Sequence, residues 1–155
     1  MASETATAVE APTEQFAWKG GALAGLLGGV VMGAMLTTQM GPVIETAIPS
    51  MYGLDGLGAG WAVHLFHSAV LGVVFAVVAS GLSDYVDSTG KSAALGAGYG
   101  VVLWVVLAAL VMPVWLGAVG SPANPPLPNF NPTSLVGHVA YGLVLGAVFP
   151  SLRNL

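Results

Sequence analysis

No cysteine occurs in the 155 residues, which excludes disulfides, thiolate metal sites and iron–sulfur clusters and leaves the redox compartment unmarked. Charge is nearly as scarce. Three Lys or Arg and seven Asp or Glu make 6% of a chain that is 55% hydrophobic, too few to cover the surface of a soluble globule of this size. With three cations, nucleic acid is not expected as a partner. The N-terminus also lacks the basic start of a secretory signal; residues 1–18 are polar and acidic and read as a disordered tail.

What is present is long uncharged sequence. Residues 20–44, 56–83 and 92–152 contain no Asp, Glu, Lys or Arg. A membrane span needs about 20 apolar residues, so the first two stretches hold one helix each. The third holds two, joined by the loop "GSPANPPLPNFNPTS". The expected fold class is all-α, an integral membrane four-helix bundle with spans near 20–40, 57–81, 92–116 and 133–151, forming one membrane domain over 19–155. Asn131 or Thr133 suits the cap of the last helix, with Pro132 at its first turn.

Four spans put both termini and the middle loop on one side, and Lys19, Lys91 and Arg153 fall in those three places. By the positive-inside rule that side is cytoplasmic and the protein is a multi-pass component of the cell membrane. Trp18, Trp61 and Trp115 fit interfacial positions; Trp104 falls mid-span and is expected to pack on a neighbouring helix.

Residues 64–75, "HLFHSAVLGVVF", match 138–149, "HVAYGLVLGAVF", at six of twelve positions, His64 with His138 among them. Lys19 aligns with Lys91, Gly28 with Gly100 and Met40 with Met112. This reads as a duplicated hairpin, repeat 1 over about 19–81 and repeat 2 over about 91–151. A unit with an even number of spans begins and ends on one side, so the copies form a parallel repeat about an axis along the membrane normal. Small-xxx-small pairs such as Gly21 with Gly25 and Gly142 with Gly146 permit close helix approach. A phosphate-cradling role for "GGALAGLLGG" is disfavoured, because no strand precedes it and no Lys-Ser/Thr follows it.

The residues that invite chemistry are His64, His67 and His138, all inside spans. The bland reading makes them, with Tyr141, interhelical hydrogen-bonding groups. A sharper one brings the three imidazoles together as ligands for zinc or copper, with Met40 and Met112 as thioether donors. Another uses His64 and His138 as axial ligands of one haem b, although no cation sits on the outer side to meet propionates. The last is a proton, ion or small-solute pathway, since intramembrane ionisable groups mark such routes. Thr37, Thr38 and Gln39 are polar within the first span, but they more often bond back to the helix. No catalytic residue is assigned and the protein is read as non-enzymatic, its partners being the lipid bilayer and another membrane protein or a second copy.

The stretches "FAWKGGALAGLLGGVVMGAM", "VIETAIPSMYGL", "YGVVLWVVLAALVMPVWL" and "PLPNFNPTSLVGHVAYGLVLGAVFP" together resemble a family of small membrane proteins of halophilic archaea. The resemblance covers nearly the whole chain beyond the tail and implies a habitat and a membrane location, not a reaction. Members are often labelled "histidine kinase", which this sequence argues against. No segment outside the spans exceeds about 20 residues, leaving no room for an ATP-binding domain, and all three His lie within spans.

The topology is testable on a chain with no cysteine of its own. Single cysteines at Ser88 and Ala123 should be labelled by an impermeant maleimide from opposite sides of the membrane. Equal labelling from outside would refute four spans.

Overall fold

The computed structural model describes residues 17–155. Residues 1–16, the main part of the expected tail, lie outside them. The architecture is all-helical, with four helices long and apolar enough to span a membrane: α1 (Trp18–Gln39), α2 (Leu57–Ser80), α3 (Thr89–Ala118) and α4 (Pro132–Leu152). Two short elements complete it. After α1 a π-helical turn, Val43–Ala47, runs into Ile48–Ser50 to form an outer segment. The inner loop between α2 and α3 carries a 3-10 turn at Ser83–Tyr85.

Small residues determine which helices touch. In lipid the helices gain nothing from hydrophobic transfer, so they associate where backbones can come close. A Cβ built on Gly25 of α1 would meet the Ser68 carbonyl and stand 2.9 Å from the Gly72 Cα of α2. One on Gly96 of α3 would meet the Gly142 carbonyl and stand 2.9 Å from the Gly146 Cα of α4. Both hairpins therefore cross by backbone against backbone. On its other face α1 meets α4, where a Cβ on Gly28 would lie 2.7 Å from the Tyr141 carbonyl oxygen. The resulting order of packed neighbours is α2, α1, α4, α3.

The remaining pair, α2 and α3, meets only toward the end of the bundle that carries the two termini. Tyr99 Oη donates to the Leu71 carbonyl at 2.8 Å, and Phe75 packs against Tyr99 and Phe149 with ring centroids 5.4 Å apart in each case. On the outer half the two helices separate.

The long third helix contributes to that separation. Its 30 residues span about 45 Å at 1.5 Å per residue, against about 30 Å of hydrocarbon. Its middle, Trp104–Val111, is π-helical. Pro113 has no N–H to offer the Ala109 carbonyl one turn back. Asn129 N of the returning loop donates to that carbonyl instead, at 2.9 Å. The loop thus runs back along the outer part of α3, and Trp104 donates to the Asn131 carbonyl at 3.1 Å and packs on Phe130. Trp104, expected to pack on a neighbouring helix, thus meets the end of the loop and the cap residue at the start of α4. Asn131 caps α4 as expected, its Oδ1 accepting from Ser134 N at 3.1 Å, with Pro132 in the first turn.

At the inner end, Lys91 bridges to Asp87 at 3.0 Å and donates to the Asp84 carbonyl, while Arg153 donates to the Val86 carbonyl at 3.1 Å. The Lys91 ammonium holds the Asp87 carboxyl below its ordinary value through that hydrogen bond. The pair is exposed, so it orders the loop more than it stabilises the bundle.

Replacing Gly96 by Leu forces α3 and α4 apart and should lower stability by about 1–3 kcal/mol or more. Gly98→Leu, where nothing lies within 4 Å of the added Cβ, should cost little. Thermal unfolding of the two variants in one detergent checks the contrast; equal losses would mean that backbone contact is not what holds the hairpin.

Candidate functional site

Where α2 and α3 part, a cleft of about 410 Å³ opens, floored by α1 and α4. His64, His67 and His138 all line it, and so does Met112. Met40 does not; it packs against the hydrophobic core. The cleft thus brings together the three imidazoles and one of the two thioethers singled out from the sequence, and leaves Met40 outside its lining. Among the described residues no three His, Cys, Asp or Glu side chains stand close enough to hold a metal ion together.

His64 is buried against α1 at a place where Gly29 has no side chain, and its Nε2 lies 2.9 Å from the Gly29 carbonyl oxygen. A carbonyl can only accept, so Nε2 carries the proton. Trp61 sits edge-on to the His64 ring, its centroid 6.2 Å away, and donates to Thr37 Oγ1 at 3.2 Å. Thr37 in turn bonds back to the Gly33 carbonyl, as expected of a threonine within a helix.

His138 resolves its tautomer in the opposite sense. Its Nδ1 lies 2.8 Å from the Ser134 carbonyl one turn earlier on α4, so Nδ1 bears the proton and Nε2 is left with a lone pair. No carboxylate lines the cleft to balance an imidazolium, and both rings are therefore neutral. The unprotonated nitrogens, Nδ1 of His64 and Nε2 of His138, have no protein partner. Nor are they sealed in. Ser92 Oγ is the one fully buried side-chain N or O without a partner among the described residues, so neither nitrogen is fully enclosed, and both rings line the cleft.

His67, one turn below His64 on α2, meets the outer segment. Tyr52 Oη stands 2.7 Å from His67 Nε2, and the Tyr52 ring packs on Trp115 of α3 with centroids 5.6 Å apart. Trp115 donates to the Met51 carbonyl at 3.0 Å, and Ser50 shares a 2.7 Å hydrogen bond with Ser121. Together these contacts roof the cleft on its outer side.

Below the imidazoles the polar groups are used up. Ser68 Oγ donates to the His64 carbonyl at 2.7 Å, and Tyr141 Oη to the Ser68 carbonyl at 2.8 Å. Ser68 and Tyr52 were not singled out from the sequence. Ser68 carries no signal beyond its spacing four residues after His64, and Tyr52 reaches the site only because the chain folds back after Gln39.

Tyr141→Phe removes the donor to Ser68 while keeping the ring. By the range found for interhelical hydrogen bonds it should cost about 0.6–1.7 kcal/mol, read as a shift of the unfolding midpoint in detergent. A variant as stable as the parent would show that this bond contributes nothing to the bundle.

Residues 17–154 match the Family of unknown function (DUF6789), and the chain belongs to that family. No curated protein and no solved structure matches it.

Proposed function

We propose that this member of the family is a non-enzymatic, multi-pass component of the cell membrane whose working part is the three-histidine cleft, a receptacle for a ligand that enters from the bilayer. The observation that carries the reading is the lateral mouth of the cleft. Phe66 and Val70 on α2 and Val111 on α3 flank it, and all three are exposed, as suits side chains that face acyl chains.

What supports the non-enzymatic reading is how the polar groups are spent. Ser134 Oγ lies 3.4 Å from His138 Nδ1, but that nitrogen bears a proton and cannot accept one from the hydroxyl. Ser68 Oγ is committed to a helix carbonyl. A continuous ion or solute path is disfavoured as well, because Phe75, Tyr99 and Phe149 fill the bundle below the cleft.

The termini are read as cytoplasmic, since Lys19, Lys91 and Arg153 lie at one end of the bundle. The bilayer is the first partner; a second membrane protein or a second copy is the other. The two hairpins are read as a parallel duplication within a chain of halophilic archaeal origin. What supports the duplication is the shared crossing, in which Gly25 stands to Ser68 and Gly72 as Gly96 stands to Gly142 and Gly146. That register places Gly29 opposite Gly100, one residue away from the pairing of Gly28 with Gly100 suggested by the lysines.

A second reading keeps His64, His67, His138 and Met112 as a metal site, or His64 and His138 as haem ligands. The two exposed lone pairs favour it, because ligating imidazoles usually give their other N–H to a carbonyl. Under it, purified protein should carry zinc or copper, or show a Soret band lost in His64→Ala or His138→Ala.

The receptacle reading is checked with a diazirine-bearing alkylbenzene dissolved in the bilayer. Photolabel should reach Leu103 and Leu107, which line the cleft, in addition to the lipid-facing Val102 and Val106. Label confined to Val102 and Val106 would mean that the cleft is closed to the membrane.

A further inference from the structure

The tautomers of His64 and His138 constrain what the cleft can hold. Both rings give their N–H to helix carbonyls at 2.9 and 2.8 Å, so each turns an acceptor, not a donor, into an apolar cavity. An acceptor exposed in such a place loses free energy relative to water unless a donor meets it. No Asp, Glu, Lys or Arg lines the cleft, so the donor belongs to a neutral molecule. Phe66, Val70 and Val111, exposed apolar residues, line the cleft; in the receptacle reading they face acyl chains, so that molecule is dissolved in the bilayer. Aromatic and thioether side chains, Tyr52, Trp115, Phe66 and Met112, surround the space and suit a flat ring. Its size, about 410 Å³, lies within the roughly 300–1,000 Å³ usual for small-molecule pockets.

Resting on the receptacle reading, we infer that the cleft binds the reduced, dihydroxy form of a membrane quinone, its two O–H groups donating to His64 Nδ1 and His138 Nε2 and its tail leaving between Phe66, Val70 and Val111. A quinol supplies two donors on one flat neutral ring. The oxidised quinone presents carbonyl oxygens instead, and these face the two lone pairs with acceptor against acceptor. Discrimination between the two forms therefore comes from the backbone carbonyls of Gly29 and Ser134, which hold the protons on the far sides of the rings. His67, already paired with Tyr52, sits beside the mouth and completes the polar end of the site. The inference concerns binding alone and involves no transfer of electrons.

The test is equilibrium binding of tritiated decylbenzoquinol, kept reduced, to the full-length protein in lipid nanodiscs. One saturable site is expected, with decylbenzoquinone and decylbenzene competing at least about tenfold more weakly, the effect of losing hydrogen bonds of ordinary strength. His138→Phe keeps a ring of similar shape without the lone pair and should weaken quinol binding about tenfold. Leu107→Trp fills the cleft without touching either histidine bond and should abolish binding at unchanged helical content and thermal stability. Equal affinity for quinol, quinone and decylbenzene would overturn the inference and leave a receptacle that takes any apolar chain. So would absence of saturable quinol binding while Leu103 and Leu107 are still photolabelled. Stoichiometric zinc or copper, lost in His138→Phe, in a protein that ignores quinol would overturn it in favour of a metal centre.

Discussion

Two helices can touch through their backbones only where neither carries a side chain in the way, and the bundle rests on that constraint. α1 satisfies it on two faces at once. Gly21, Gly25 and Gly29 meet α2, while Gly20 and Gly28, with Ala24 between them, lie on the side that meets α4. In water such contacts would add little to the burial of larger side chains. In lipid, where apolar surface has no water to escape, close approach and the dispersion and hydrogen bonding it allows are what association has to draw on. The same closeness brings helix carbonyls within reach of side chains on the next helix. His64 finds the Gly29 oxygen because Gly29 is bare, and the Tyr141 ring lies against bare Gly28 of α1 on its way to the Ser68 oxygen of α2.

The cleft is the complement of this packing. Three of the four neighbour contacts in the ring of helices are close along much of their length, and the fourth, between α2 and α3, is not. Large side chains hold that pair together at one end, through Phe75, Tyr99 and Phe149. At the other end α3 widens into π-helix, overshoots α4 and takes the returning loop and the outer segment as its neighbours. A duplicated pair of hairpins with equal contacts on both sides would leave a central seam. Departure from that equality leaves a pocket, and the histidines of both hairpins face it.

The imidazoles show how a backbone bond determines chemistry. Neither His64 nor His138 is bonded to the other, and neither is free to rotate its proton toward the cavity, because a carbonyl claims it. A side chain that titrates and tautomerises freely in water becomes here a fixed acceptor. In the proposed receptacle that single polarity would distinguish one neutral ligand from another, the rest of the space being lined by hydrocarbon, aromatic rings and sulfur.

Much of this was legible in the chain itself, because hydropathy and the scarcity of charge act locally. Uncharged stretches of span length have one stable form in a bilayer, so four helices over nearly the observed limits follow from residues 20–44, 56–83 and 92–152 alone. The cap at Asn131 and the back-bonding of Thr37 are equally local. The placement of His64, His67 and His138 in spans was legible too, but not what they would meet. Met40 and Met112 occupy matching places in the sequence, yet only Met112 reaches the cleft, since α1 breaks at Gln39 while α3 continues to Ala118. Trp104 meets Phe130 and the Asn131 carbonyl, a partner that depends on how the loop returns along α3, where Asn129 N reaches the Ala109 carbonyl. Tyr52, the roof and the ring nitrogens left bare depend on which backbone carbonyl each side chain finds across a helix interface. Those partners are set by azimuth and register, which hydropathy does not encode, and tertiary packing alone decided them.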